Sequence, residues 1–244
     1  MNQFSNDIKI IFVGTPDFGA VILEGIIKAG YKPVLAITAL DKPVGRKKIL
    51  TPPPVKLAAQ KYNISIEQPE RIENHSPYTY GLGPAPVHGG GGCKLSRLTG
   101  SRLAGKIKNL NPDLGIVASY GEIIPKDILD IPKYGFLNVH PSLLPKYRGP
   151  SPIQYAILNG DKETGVTIML MDEKIDHGPI LAQRELEFSI YNFQFSKLHD
   201  ELAQLGANLL VETIPKWIKG EIKAIPQDET RATYKNTEKR GREN

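Results

Sequence analysis

A chain of 244 residues, 40% hydrophobic and 23% charged, can bury an ordinary core and suits one large α/β domain or one domain plus a fragment of another. It has no run of about 18 apolar residues, its start MNQFSNDIKI lacks a secretory pattern, and the lone Cys93 excludes an internal disulfide framework, so a cytoplasmic protein without membrane contact is expected. The net charge of +5 is no argument for RNA binding by the core, because the excess lies in two irregular-looking segments: 76–106, with Lys94, Arg97, Arg102 and Lys106 and no acid, and the tail 231–244.

In chain order, IKIIFVG (8–14) reads as a buried strand, and AVILEGIIKAG (20–30) as an apolar helix closed by Gly30. KPVLAITA (32–39) is a second strand. LDKPVGRKKILTPPPVK (40–56) is a basic, proline-rich loop, VKLAAQKY (55–62) a helix and ISIEQP (64–69) a short third strand. The Gly-rich run 75–105 shows no sustained periodicity and stands where a crossover helix belongs, so 75–106 is expected to be an irregular insertion. DLGIVASYG (113–121) is a strong strand, KDILDIPKYG (126–135) a short helix and turn, and FLNVH (136–140) the next strand. PIQYAILNGD (152–161) is helical, and 164–188 gives two strands joined by the loop Asp172–Gly178. In 196–220, Leu198, Leu202, Leu205 and Leu209 recur at helical spacing before Gly220. This alternation predicts an α/β fold with an open, mostly parallel twisted sheet and helices on both faces. A single domain is expected over 1–225, with 226–244 a polar linker and frayed tail.

Three motifs bear on chemistry. GTPDFG (14–19) stands where a dinucleotide fingerprint would, but Pro16 replaces the glycine that admits a pyrophosphate and removes a donor as well. A tight turn needing Gly14 is the simpler reading, with a small anion at the helix start left open. NVHPSLLPKYRGPSP (138–152) carries Asn138 and His140 one residue apart at a strand end, followed by four prolines around an exposed-looking Lys-Tyr-Arg. Residues i and i+2 of a strand share a face, so an amide donor and an imidazole can enter one pocket outside the strand ends. Together they can stabilise an oxyanion and move a proton, or they can simply form a hydrogen-bonding edge pair. The loop MDEKIDHGPI offers Asp172, Glu173 and Asp176 as a carboxylate partner, with Asp176 at a turn. His75, His88, His177 and His199 have no supporting pattern and read as surface or packing residues. No metal site is expected, and Ser142 is not in a nucleophile elbow.

The stretch 138–181, with IFVGTPDFGA and DKPVGRKKILTPPPVK, resembles the folate-dependent formyltransferases, and within that family the branch that formylates methionyl-tRNA. The resemblance covers roughly 8–74 and 107–234. It implies a Rossmann-like formyltransferase fold, 10-formyltetrahydrofolate as formyl donor without a metal, and initiator methionyl-tRNA as partner of a monomer. It implies a catalytic trio of Asn138, His140 and Asp176. Ser142, Leu143, Leu144 and Pro145 match the family's folate-binding segment, and Tyr120 and Gly121 would line the same pocket. Arg46, Lys47 and Lys48 match a loop that contacts tRNA. The alternative for that loop is an ordinary solvated basic turn. The family's smaller C-terminal barrel is not seen in the sequence, which leaves two other expectations open: formyl transfer to an amino-sugar nucleotide or glycinamide ribonucleotide, or a folate-binding remnant without catalysis.

Overall fold

A computed structural model describes residues 8–70, 100–188 and 195–234. His75, His88, Cys93 and the Gly-rich run 75–99 lie outside the described residues, as does the tail 235–244. The elements are β1 (Ile10–Gly14), α1 (Asp17–Lys28), β2 (Leu35–Ile37), β3 (Lys42–Val44), β4 (Ile49–Thr51), α2 (Pro54–Lys61), β5 (Ser65–Glu67), α3 (Gly100–Leu110), β6 (Leu114–Ala118), α4 (Lys126–Leu129), β7 (Phe136–His140), α5 (Pro152–Leu158), β8 (Glu163–Leu170), β9 (Ile180–Glu187) and α6 (Phe195–Ile218).

Seven strands form one twisted sheet in the order β5-β2-β1-β6-β7-β8-β9. The pairs from β5 to β7 are parallel, and β8 and β9 are added antiparallel. β1, β6 and β7 are buried at every residue, as continuous apolar runs are when both faces of a parallel sheet are covered. Their alternate side chains divide between two cores. Ile10, Phe12, Ile116, Leu137 and Val139 pack with α1 and α6. Ile11, Val13, Val117 and Phe136 pack with Leu103 and Ile107 of α3 and with Ile128 and Leu129 of α4. Asn138 and His140 share the parity of Phe136 and face this second layer.

α6 buries Leu198, Leu202, Leu209 and Leu210, each worth about 1.5–3 kcal/mol when fully removed from water. Small residues let it sit close: a methyl at Gly206 would come 2.8 Å from Val139 Cγ1.

Three expectations change. The segment 75–106 is not wholly irregular, because α3 begins at Gly100; Leu103, Ala104 and Ile107 form its buried stripe, a pattern lost beside the Gly-rich run. The basic loop is a hairpin, β3–β4, in which Pro43 sits opposite Leu50 on an exposed ribbon that tolerates a missing donor. The segment 226–234 does not behave as a linker. Arg148 N donates to Thr233 O at 2.9 Å and Thr233 N to Pro145 O at 3.1 Å, so this stretch packs back onto the loop after β7.

Candidate active site

β7 ends where the parallel part of the sheet meets its antiparallel edge. Because β8 runs against β7, with Leu137 opposite Leu170 and His140 opposite Thr167, the chain leaves β8 near the start of β7. The loop 171–179 must therefore double back to reach the far end. It does so, held at its outset by Met171 N donating to Phe136 O at 2.8 Å. Asp176 sits at the returning bend with φ +47°, a left-handed conformation that aspartate tolerates better than most residues. Gly178 follows, and a side chain there would collide with the Leu170 carbonyl.

This return brings the three predicted groups together. Asn138 Nδ2 donates to Asp176 Oδ1 at 3.1 Å, and His140 Nδ1 lies 3.5 Å from Asp176 Oδ2. Asp176 Oδ2 also accepts from Gly149 N at 2.8 Å. The second nitrogen of His140, Nε2, is 2.9 Å from Tyr147 O. A carbonyl can only accept, so Nε2 carries the proton of that bond and Nδ1 is the nitrogen facing the carboxylate. Asn138 has two amide hydrogens, and Asp176 engages one of them.

The trio borders a cavity of about 510 Å³, within the usual range for small-molecule sites. Tyr120, Gly121, Ile124, Val117 and Met171 give it apolar walls, while Asn138, His140 and Asp176 supply polarity. Burial pushes the Tyr120 phenol well above its ordinary range, and its hydroxyl has no partner among the described residues. Thr15 and Pro16 also line the cavity, so the GTPDFG turn contributes a wall. Its glycines serve packing: methyls at Gly14 and Gly19 would come 2.7 and 2.8 Å from Ala118 O.

Four non-glycine residues around the trio adopt left-handed backbone: Ser119, Tyr147, Ser151 and Asp176. Such conformations persist only where surroundings over-determine them, and they gather at functional sites. Tyr147 shows how. Its N–H donates to Thr233 Oγ1, its hydroxyl donates to Asp161 Oδ2 at 2.8 Å and accepts from Asn159 at 2.6 Å, and its ring stacks on Tyr155.

Other sequence expectations fall differently. Ser142, Leu143, Leu144 and Pro145 do not line the cavity, whereas the neighbouring Pro141 does. They instead build the turn behind it: Leu144 N donates to Thr167 Oγ1, Thr167 Oγ1 donates to Ser142 O and Gln183 Nε2 donates to Leu144 O. Arg46, Lys47 and Lys48 stand at the exposed tip of the β3–β4 hairpin, outside this cavity. Lys-Tyr-Arg is not an exposed run, because Tyr147 and Arg148 are buried. His199 packs on Phe18 and Phe195, whereas His177 is paired, with Nδ1 2.5 Å from Asp172 and Nε2 3.6 Å from Glu229. Among the described residues no group of three or more His, Cys, Asp or Glu could hold a metal ion, and no helix is long and apolar enough to cross a membrane.

The Arg148 guanidinium, which has no exposed surface, was missed entirely by sequence reasoning. It donates to Gln227 Oε1 at 3.0 and 2.8 Å, to the Glu229 carboxylate at 2.9 and 2.6 Å, and to the Tyr234 hydroxyl at 2.5 Å. The hydrogen bonds from Arg148 hold the Glu229 carboxyl below its ordinary value of 4.5. Since the folded value is depressed, the stabilisation is present above the ordinary value and is lost as pH falls through the folded one. The difference in Tm between the wild type and Glu229→Gln should therefore shrink as pH drops below 4.5. A difference unchanged down to unfolding would show that this pair does not secure the segment.

A mostly parallel sheet with a polar trio over a cavity at its strand ends is an α/β domain built to bind a ligand there, and the family follows from comparison. The family model described as Formyl transferase matches residues 8–214, and the chain belongs to that family. Among curated relatives, the methionyl-tRNA formyltransferase of Halalkalibacterium halodurans is 43% identical over 93% of this chain, and that of Enterococcus faecalis 44% identical over 93%. The chain spans 63% and 64% of the length of those two proteins. Among solved structures, a phosphoribosylglycinamide formyltransferase from Bacillus halodurans matches with a TM-score of 0.63 at 23% identity, covering 87% of this chain and 96% of its own. An N-formyltransferase from Helicobacter canadensis, solved with folinic acid and an amino-sugar nucleotide, matches with a TM-score of 0.65 at 20% identity, covering 93% of this chain and 70% of its own. These two similarities establish the fold.

Proposed function

We propose that this chain transfers a formyl group from 10-formyltetrahydrofolate to the α-amine of methionyl-initiator tRNA in the cytoplasm. The observation that carries the reading is the convergence of Asn138, His140 and Asp176 on one cavity, in a chain whose relatives are named for that reaction. The cavity's size and its apolar walls ending in polar groups suit a flat, partly polar heterocycle such as a pterin.

A bound formylfolate supplies the one-carbon unit. Asn138 holds Asp176 with one amide hydrogen and keeps the other for the oxyanion that develops as the amine adds to the formyl carbon. His140 is set between Tyr147 O and Asp176, so its ring cannot turn away from the reacting atoms. The new N–C bond to the acceptor forms first, giving a tetrahedral intermediate, and collapse of its oxyanion then breaks the old bond to the donor nitrogen. His140 and Asp176 carry the proton released by the acceptor amine to the departing nitrogen, directly or through one water.

The hairpin tip gives the acceptor RNA a cationic contact in Arg46, Lys47 and Lys48, flanked by exposed Val44, Ile49 and Leu50. Its base is clamped by Lys56, which bonds Asp41 at 2.7 Å, and by Gln68, which bonds the same carboxylate at 2.8 Å. Removing one phosphate contact lowers the dependence of log affinity on log salt by about 0.7–0.9. Arg46→Ala should thus weaken tRNA binding most at low salt, with the deficit narrowing as salt rises. An equal deficit at all salt concentrations would argue against a phosphate contact.

The reading is tested by formylation with purified chain, 10-formyltetrahydrofolate and charged initiator tRNA, in parallel with glycinamide ribonucleotide and an amino-sugar nucleotide. Transfer to methionyl-tRNA alone is expected. Transfer only to one of the small amines, or to none of the three, overturns it.

A further inference from the structure

The last described stretch of chain leaves α6 and returns along the edge of the site. Ile225 and Ile180 exchange backbone hydrogen bonds at 2.8 and 2.9 Å, which starts the return. Gln227 then projects its side chain between the buried Arg148 and the loop that carries Asp176. Its Nε2 donates to Asp176 O at 2.9 Å and to Gly178 O at 2.7 Å. Its Oε1 accepts from Arg148 Nε and Nη2. The two ends cannot be exchanged, because carbonyls only accept and a guanidinium only donates.

We propose that Gln227 is a positioning residue for the formyl transfer, acting through Asp176. This rests on the reaction assigned to the trio above. Asp176 stands in a left-handed conformation that costs free energy, at the bend where its loop doubles back over β7. Gln227 fastens the carbonyl of Asp176 and that of Gly178, the flanking points of the bend. Gly149 N and Asn138 fasten the carboxylate. With both ends held, the carboxylate oxygens stay directed at Asn138 and His140. Without the amide, the backbone of Asp176 can relax out of its strained state and carry the carboxylate away.

Gln227→Glu is the discriminating variant. It has nearly the same shape and keeps an oxygen for Arg148, but it sets a carboxylate oxygen against two carbonyls. A displacement of order 1 Å at a reacting group costs about 10²-fold, so kcat should fall by about that factor with KM for the formyl donor unchanged. In an Asp176→Asn background the same change should cost little more, because both act through one carboxylate. Hydrogen exchange supplies a readout independent of turnover. The Gly149 amide and the amides of 172–178 should exchange faster in Gln227→Glu, while those of α6 keep their protection.

Wild-type kcat in Gln227→Glu, a full multiplicative loss in the Asp176→Asn background, or faster exchange spread across α6 overturns the proposal. If the wild-type chain formylates no methionyl-tRNA, the assignment of function fails, and the exchange pattern alone still decides whether Gln227 holds the Asp176 loop.

Discussion

Asn138→Ala and His140→Ala are each expected to lower formyl transfer about 10²–10³-fold, or about 2.7–4 kcal/mol of barrier, while the formyl donor remains bound. The loss is expected in transfer rather than in donor binding, because the cavity's apolar walls come from other residues, Tyr120, Ile124, Pro141 and Met171. Asn138→Asp separates the two functions of the amide. It conserves volume, removes both donors and places a second carboxylate against Asp176, so like-charge repulsion adds to the missing oxyanion contact. It should be at least as inactive as the alanine variant. Single-turnover formylation measured beside equilibrium binding of a non-transferable folate checks both points. Near wild-type turnover in any of the three variants removes the assigned roles, and loss of folate binding in step with turnover would make the residues architectural.

Arg148→Met is expected to be the most destabilising of the single changes near the site. The guanidinium is fully buried and, among the described residues, makes its hydrogen bonds to a segment about eighty residues later in the chain. Methionine keeps the aliphatic stem and drops the charge. Removing one partner of a fully buried ion pair costs about 3–5 kcal/mol because a charge is stranded. Here the partner left behind, Glu229, is 55% exposed and water can solvate it. The loss should lie nearer that of hydrogen bonds to a charged group, about 1.5–3 kcal/mol. For a chain of this size that corresponds to a fall in Tm of roughly 3–12 °C. An unchanged Tm would mean that the segment's attachment adds nothing to the fold.

The reach of the sequence here follows the range of the interactions. β7 and its Asn-x-His pair are legible from five consecutive residues, since period two alone puts both side chains on one face. α6 is legible for the same reason, from leucines at helical spacing. The position of Asp176 follows from an antiparallel edge that turns the chain back; the residues alone offered it beside Asp172 and Glu173, at a turn, and the resemblance singled it out. Tyr147 and Arg148 were misread because an exposed-looking Lys-Tyr-Arg becomes core only if something distant matches the charge. Gln227, Glu229 and Tyr234 do so, and nothing in their local composition distinguishes them from a polar tail. α3 and the β3–β4 hairpin were missed for a local reason: short patterns were averaged with the glycine and proline around them.

The attachment of 225–234 to the loop after β7 also sets an order of events during synthesis. All seven strands of the sheet precede Gln227 in the chain and are synthesised before it, and chains generally begin folding from the amino terminus as they are made. A nascent chain can thus hold a nearly finished sheet with its Arg148 charge uncompensated. The Asp176 loop and the Arg148 charge gain these partners only once Gln227 and Glu229 have been added, after the strands of the scaffold have been made.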